Sequence, residues 1–146
     1  MDPLEHLNAQ LDTCLSSMGL NPEVSATPSG HHVLRHGDAL VLVSGFLRHK
    51  QPFCRIAAIV RSNVSPSLEL LHRLLRLNHG ALLGAFQLFE DGTVIFGTTL
   101  PAEALDPDVF ARALRYVARS ADAACEQLQP LAGGTPGAAS LDLELR

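Results

Sequence analysis

The sequence predicts an α+β fold in which a five-stranded antiparallel sheet packs with three helices, in the order α-β-β-β-α-β-β-α. Three observations predict it: a β-hairpin signal in residues 78–101, three strand-length apolar runs joined by short turns, and three helical stretches that each begin at an Asp-Pro or Ser-Pro pair. The chain has 146 residues, of which 47% are hydrophobic, so it is long enough to bury one core without disulfides or metals.

The first helix is predicted to follow Asp2 and Pro3, a typical N-cap and first-turn pair, and to end at Gly19. Its apolar residues recur at helical spacing, which predicts one buried stripe against the sheet. A partner helix is the alternative, because some of these residues are a heptad apart. The stripe consists of Leu4, Leu7, Leu11, Leu15 and Met18.

Residues 31–35, 39–47 and 53–61 are three apolar runs, and short polar turns separate them. The connections are too short for a parallel crossover, so the runs predict an antiparallel meander. Both faces of the middle strand are apolar, whereas a sheet with helices on one side should alternate apolar with polar residues. Another helix, a partner subunit or a bound peptide is therefore expected to cover the second face. The residues predicted to bind a partner there are Leu40, Leu42 and Phe46, which alternate with Val41, Val43 and Leu47.

Ser65 and Pro66 predict the start of the second helix. Its leucines fill about half of the helix circumference, which is wider than a helix needs in order to cover a sheet. The excess predicts a subunit contact, with plain core packing as the alternative. The candidate contact residues are Leu70, Leu74 and Leu77 among the leucines at positions 68, 70, 71, 74, 75 and 77.

In the hairpin, Glu90, Asp91 and Gly92 separate apolar runs at residues 81–89 and 93–100. The last helix is predicted to begin at Asp106 and Pro107 and to end at Pro130, with an apolar stripe from Phe110 to Leu128. Residues 131–146 read as a linker and tail. The alternating leucines at positions 141, 143 and 145 either fray or form a strand against a sheet edge of the same or a neighbouring molecule.

No residue pattern predicts catalysis, a cofactor or a metal. Neither a Gly-x-Ser-x-Gly nor a Walker motif is present. His32 and His36 share a strand face, but the remaining histidines show no spacing that would complete a zinc site. The cysteines, Cys14, Cys54 and Cys125, are expected to be reduced and buried, as in a cytoplasmic protein, and the acidic N-terminus does not resemble a signal peptide.

The charge distribution leaves nucleic acid as an alternative partner. The net charge is -4, yet residues 31–89 are basic between two acidic ends. Arg48, His49 and Lys50 form a basic patch between Phe46 and Phe53. Aromatic stacking platforms are scarce, however, because the chain has one tyrosine and no tryptophan.

Within residues 4–130 the chain resembles the bacterial YbjN-like proteins, which share the fold of class I type III secretion chaperones. The segments that carry the resemblance are Leu77-Asn78, Gly84-Ala85-Phe86-Gln87-Leu88, Asp91-Gly92-Thr93-Val94, Leu100-Pro101 and Ala121-Asp122. The resemblance implies one such domain at residues 1–130, a homodimer, and a non-enzymatic role in binding a client protein or peptide. It identifies neither the client nor any secretion system.

Overall fold

The computed structural model describes residues 2–27 and 30–139, and it confirms the predicted α+β fold with an antiparallel sheet and three long helices. A short helix and a two-residue strand were not predicted. The helices are α1 (Pro3–Ser17), α2 (Pro22–Ser25), α3 (Leu68–Gly80) and α4 (Pro107–Ala132), with a 3-10 turn at Ala102–Ala104. The strands are β1 (His32–His36), β2 (Ala39–Arg48), β3 (Gln51–Ser62), β4 (Ala85–Leu88), β5 (Val94–Pro101) and β6 (Thr135–Pro136).

The sheet has the strand order β1-β2-β3-β5-β4, and all of its pairs are antiparallel. The predicted meander and hairpin are both confirmed. Strand β6 pairs with the last residues of β3. Residue 130, the predicted end of the domain, lies within α4, and the domain boundary stays a prediction. The predicted tail strand around Leu141 lies outside the described residues.

Helices α1, α3 and α4 cover one face of the sheet, called the closed face below. Val41 of β2 and Ile56 of β3 point to this face and share one buried cluster with Leu11 of α1, Leu70 of α3 and Phe110 of α4. The predicted stripe of α1 is thus packed against the sheet of its own chain. None of these three helices lies on the opposite face, called the open face.

Side-chain caps fix where the helices begin. Asp2 and Asp106 accept backbone N–H groups of α1 and α4, as their sequence context predicts. The predicted start of α3 at Ser65 is wrong, because Ser67 Oγ accepts the Leu70 N–H at 3.1 Å and caps the helix. The Ser65 N–H instead donates to the Ala132 carbonyl.

Helix α4 also does not end at Pro130, as the sequence predicted. A proline in the last turn removes only one backbone donor, and the helix continues to Ala132. It ends at Gly133, whose φ is +65°. Arg61 is buried beneath this end, and its guanidinium donates to the carbonyls of Cys125, Gly133 and Gly134 at 3.0, 2.6 and 2.9 Å.

The first hairpin strand begins later than predicted, at Ala85 rather than residue 81. Gly84 has a φ of +97°, and a Cβ at this position would lie 2.5 Å from the Gly97 carbonyl oxygen. The chain therefore turns at Gly84 before it pairs. No helix in the described part of the chain is long and apolar enough to span a membrane.

Candidate functional site

The fold leaves three apolar surfaces without cover from the described residues. The first is the α3 ridge, formed by Leu68, Leu71 and Leu75 on the solvent side of α3. Their side chains are 70%, 43% and 68% exposed. They are spaced three and four residues apart, so they form one continuous stripe. An exposed leucine stripe of this kind is typical of a contact with another chain.

The residues predicted for the subunit contact lie on the other side of α3. Leu70 and Leu74 are 0% and 5% exposed in the chain's own core, and Leu77 is half-buried against it. Burial of Leu70 and Leu74 corresponds to the alternative that the sequence left open, in which these leucines pack in the core of their own chain. A contact through α3 stays a prediction, but the side chains free to make it are those of the α3 ridge.

The second surface is the open face of the sheet. Leu42 and Phe46, both predicted to bind a partner, lie half-buried on it, and the Phe46 ring stacks on Phe53 with 5.8 Å between centroids. Leu40 lies on the same face but is only 1% exposed. It lies at the end of the face where the Ala138 N–H donates to the Asp38 carbonyl at 2.9 Å, beside β6. Leu42 and Phe46 are therefore the accessible members of the predicted set.

The open face is not apolar throughout. Arg55 of β3 reaches across β5, where its guanidinium donates to Thr99 Oγ1 at 3.0 Å and to Gln87 Oε1 at 3.5 Å. It passes over Gly97, where a Cβ would lie 3.2 Å from Arg55 Nη2. The β2 side of the open face thus offers apolar contacts, whereas the β4 and β5 side offers hydrogen-bonding groups.

The third surface is a cavity of about 650 Å³ that we call the α1–β1–α4 groove. Its floor consists of Met18 and Leu20 after α1, Leu34 of β1, and Leu114 and Ala118 of α4. A volume of this size suits a ligand or several side chains of a peptide. The groove was not predicted from the sequence, because its floor residues come from three segments that lie far apart in the chain.

The two edges of the sheet differ in accessibility. At the β4 edge, the Asn78 side chain accepts the Phe86 N–H at 2.5 Å and donates to the Phe86 carbonyl at 3.2 Å. The amide group therefore occupies positions that an added strand would use. Among the described residues, the outer side of β1 has a single bridge, between Ala26 and His32. The groove opens beside this less protected edge.

A Ser–His–Asp chain lies near the groove. Ser25 Oγ is 2.8 Å from His32 Nδ1, and His32 Nε2 is 3.5 Å from Asp12 Oδ1. The Ser25 hydroxyl also donates to the Pro22 carbonyl at 3.3 Å, and Ser25 is 8% exposed. The three side chains join α1, α2 and β1.

The cysteine thiols are buried on the closed face. Burial raises the pKa of Cys54 to about 12 and also raises the pKa values of Cys14 and Cys125. All three cysteines are free, as predicted. Thiols of this kind are poor nucleophiles near neutral pH. Within residues 2–27 and 30–139, no three His, Cys, Asp or Glu side chains are arranged to hold a metal ion.

The basic patch predicted for nucleic acid lies at the tip of the β2–β3 hairpin. His49 and Lys50 form the turn with φ angles of 51° and 64°, and Arg48 ends β2. All three side chains are exposed. The stacked Phe46 and Phe53 lie opposite each other, close to the same turn. Nucleic-acid binding by this patch stays a prediction.

One family model and several solved structures are similar to this chain. The TY-Chap1 family model, described as "T3SS (YopN, CesT) and YbjN peptide-binding chaperone 1", matches residues 5–139. A search of curated proteins gave no significant match.

Three solved structures with this fold illustrate the structural similarity. The ExsC–ExsE complex matches with a TM-score of 0.65 and 21% identity over 93% of this chain and 98% of the other. The Yersinia pestis type III secretion chaperone SycH, in complex with a fragment of YscM2, matches with a TM-score of 0.58 and 16% identity over 79% and 96%. The Pseudomonas aeruginosa ExoU–SpcU heterodimer matches with a TM-score of 0.57 and 17% identity over 82% and 95%.

Proposed function

Because the chain belongs to the TY-Chap1 family of type III secretion and YbjN peptide-binding chaperones, we propose that it is a non-enzymatic, chaperone-like module that binds an extended segment of a client protein and acts as a homodimer. The observation that carries the proposal is the apolar surface that the described fold leaves uncovered on the open face of the sheet. Among proteins of similar fold, SycH is bound to a fragment of YscM2. We extend that mode of binding to this chain.

We assign client binding to the β2 side of the open face. Leu42, Phe46 and Phe53 offer half-buried apolar surface there, and two of them already stack. An extended peptide places alternate side chains on one side, so two of them four residues apart match the spacing of Leu42 and Phe46 on one face of β2. Burying this surface stabilises the complex through the hydrophobic effect, and the peptide's own fold is not needed.

We assign the homodimer contact to the α3 ridge. Fully burying a leucine side chain contributes roughly 1.5–3 kcal/mol relative to leaving it exposed, and a symmetric contact buries the ridge of both copies. The β4 edge beside α3 is already occupied by Asn78. The ridge therefore meets its partner through side chains rather than through an added strand.

The proposal also places the protein in the bacterial cytoplasm. Its three cysteines are free and buried, which agrees with a reducing compartment.

The test is recovery of a client that depends on the open face. Tagged protein is purified from its native cell, co-purifying proteins are identified, and the bound fragment is then titrated by calorimetry against purified variants. Leu42→Ser combined with Phe46→Ser should weaken binding by about tenfold or more. Leu47→Ser is the matched control, because Leu47 lies on the same strand, is 45% exposed and points to the other face.

Equal loss in both variants would place the client elsewhere. If no fragment binds the wild-type protein at all, the binding role itself is wrong. If nucleic acid is recovered instead, and its binding weakens steeply with salt and on mutation of Arg48 and Lys50, the basic patch is the functional site.

A further inference from the structure

The α1–β1–α4 groove combines an apolar floor with a basic rim. Arg35 and His36 from β1 line one side of it, and Arg115 and Arg119 from α4 line the other. The His36, Arg115 and Arg119 side chains are exposed, so their polar groups lie at the mouth rather than in the floor. Arg35 pairs with Leu40, so its side chain lies on the open-face side of β1. No aspartate or glutamate is among the lining residues. The groove thus presents positive potential around apolar surface.

The rim arginines are not neutralised within the described residues. The ion pairs there join Asp12 to His32 and Asp108 to Arg112, and neither includes a rim residue.

Arg112, Arg115 and Arg119 are three and four residues apart, so they form one basic stripe along α4 that continues past the groove. This stripe becomes acidic only farther along, at Asp122 and Glu126. The Asp122 carboxylate accepts the Asp38 N–H at 2.8 Å, so part of its hydrogen-bonding capacity is used in the β1–β2 turn. Near the groove the stripe is therefore basic.

From this arrangement we infer that the α1–β1–α4 groove binds an acidic, leucine-rich extended segment of a partner protein. The apolar side chains of the segment fill the floor, and its carboxylates pair with Arg115 and Arg119. The inference rests on the proposed function, since it names the chemistry of the bound polypeptide and adds a second binding surface to the open face. Charge complementarity selects this partner over a basic or purely apolar one.

The test uses three fluorescent probes and the full-length protein, with binding followed by anisotropy. The first probe is a peptide that alternates leucine with aspartate or glutamate. The second replaces each acid with the corresponding amide. The third is a single-stranded DNA oligonucleotide with the same number of negative charges. Wild-type protein should bind the acidic peptide about fivefold more tightly than the neutral one, as expected for two exposed charge pairs.

Three double variants test which surface causes the preference for the acidic peptide. Arg115→Gln combined with Arg119→Gln should reduce the acidic preference to less than about twofold, whereas Lys50→Gln combined with Arg76→Gln removes the same charge elsewhere and should preserve it. Leu42→Ser with Phe46→Ser, on the open face, should also preserve it. Raising salt from about 50 to about 300 mM should shrink the preference, because exposed charges are screened.

The outcomes separate the two proposals. If both peptides bind equally well to the wild-type protein, the acidic preference is wrong and the proposed function stands. If neither peptide binds while the open-face client does, the groove is not a binding site. If the oligonucleotide binds as tightly as the acidic peptide, the rim is a general polyanion site and the inference is wrong. If no peptide or client binds at all, the proposed function fails as well.

Discussion

Helices α3 and α4 lie on the same face of the sheet and are both amphipathic, yet they use their apolar residues differently. In α4 the stripe from Phe110 to Leu128 is buried, with both of these residues 0% exposed. In α3 only Leu70 and Leu74 are buried, whereas Leu68 and Leu75 are 70% and 68% exposed. Helix α4 completes the core, and α3 contributes to the core with one stripe while presenting a second one to solvent.

The apolar content of a helix therefore does not show how much of the helix belongs to the core. Helix α4 crosses the middle of the sheet and lies between α1 and α3, so its whole stripe has partners. Helix α3 lies beside β4, an edge strand, where the sheet ends. An edge helix has fewer neighbours to cover it, and its outer stripe is left exposed to solvent.

The largest expected effect is on the stability of the closed face. Phe110→Ala should lower the free energy of unfolding by about 3–5 kcal/mol, because it removes a fully buried aromatic side chain and leaves a cavity. Leu75→Ala on the α3 ridge should change it by less than about 0.5 kcal/mol at concentrations where the protein is monomeric. Urea unfolding followed by circular dichroism measures both. Similar losses would remove the distinction between the two helices.

The next effect comes from alkaline pH and Cys54, a closed-face thiol whose pKa is raised from about 9 to about 12 by burial. A raised thiol pKa contributes stability that is present below pH 9 and is lost as the pH rises toward 12, because only the unfolded thiol ionises in that window. The loss amounts to about 1.4 kcal/mol per pH unit. Between about pH 9 and pH 10.5 the wild-type protein should therefore lose about 2 kcal/mol more than Cys54→Ala.

Urea unfolding at both pH values measures this difference, and other titrating groups cancel between the two proteins. If the wild-type protein and Cys54→Ala lost the same unfolding free energy between these pH values, the Cys54 thiol would have to ionise in the folded protein. A matched accessibility check uses Ser44→Cys on the open face. The introduced thiol should react with Ellman's reagent in the native protein, whereas the three natural cysteines should require unfolding.

The smallest effects concern the helix caps. Ser67→Ala should destabilise the protein by about 1 kcal/mol, because the Leu70 N–H loses its acceptor at the start of α3. Asp106→Ala should do the same for α4. Ser65→Ala is the control and should cost less than about 0.3 kcal/mol, since only its backbone N–H is used. Chemical denaturation measures all three. A larger loss of stability in Ser65→Ala than in Ser67→Ala would support a helix start at Ser65, as the sequence predicted.

The local parts of the fold could be predicted because neighbouring residues determine them. Gly92, with its φ of +85°, fixes the hairpin, and Asp2 and Asp106 cap their helices as their context predicts. The apolar second face of the sheet was also predictable from β2, since both faces of that strand are apolar.

The candidate surfaces were harder to predict because they depend on packing. The leucines of α3 form two stripes roughly a third of a turn apart, one through Leu70 and Leu74 and one through Leu71 and Leu75. Either stripe suits a core, and periodicity does not say which one faces the sheet. The groove depends on contacts between segments far apart in sequence. The one signal for its rim was the spacing of Arg115 and Arg119 on one helix face.

The most direct test of the account is the oligomeric state of the α3 ridge variant. Sedimentation velocity should show a dimer for the wild-type protein at high micromolar concentration and a folded monomer for Leu71→Glu combined with Leu75→Glu. Leu47→Glu, which places the same charge at another exposed leucine, should remain dimeric. A monomeric wild-type protein, or a ridge variant that remains dimeric, would contradict the claim that the apolar surface left uncovered on α3 is there to bind another copy of the chain.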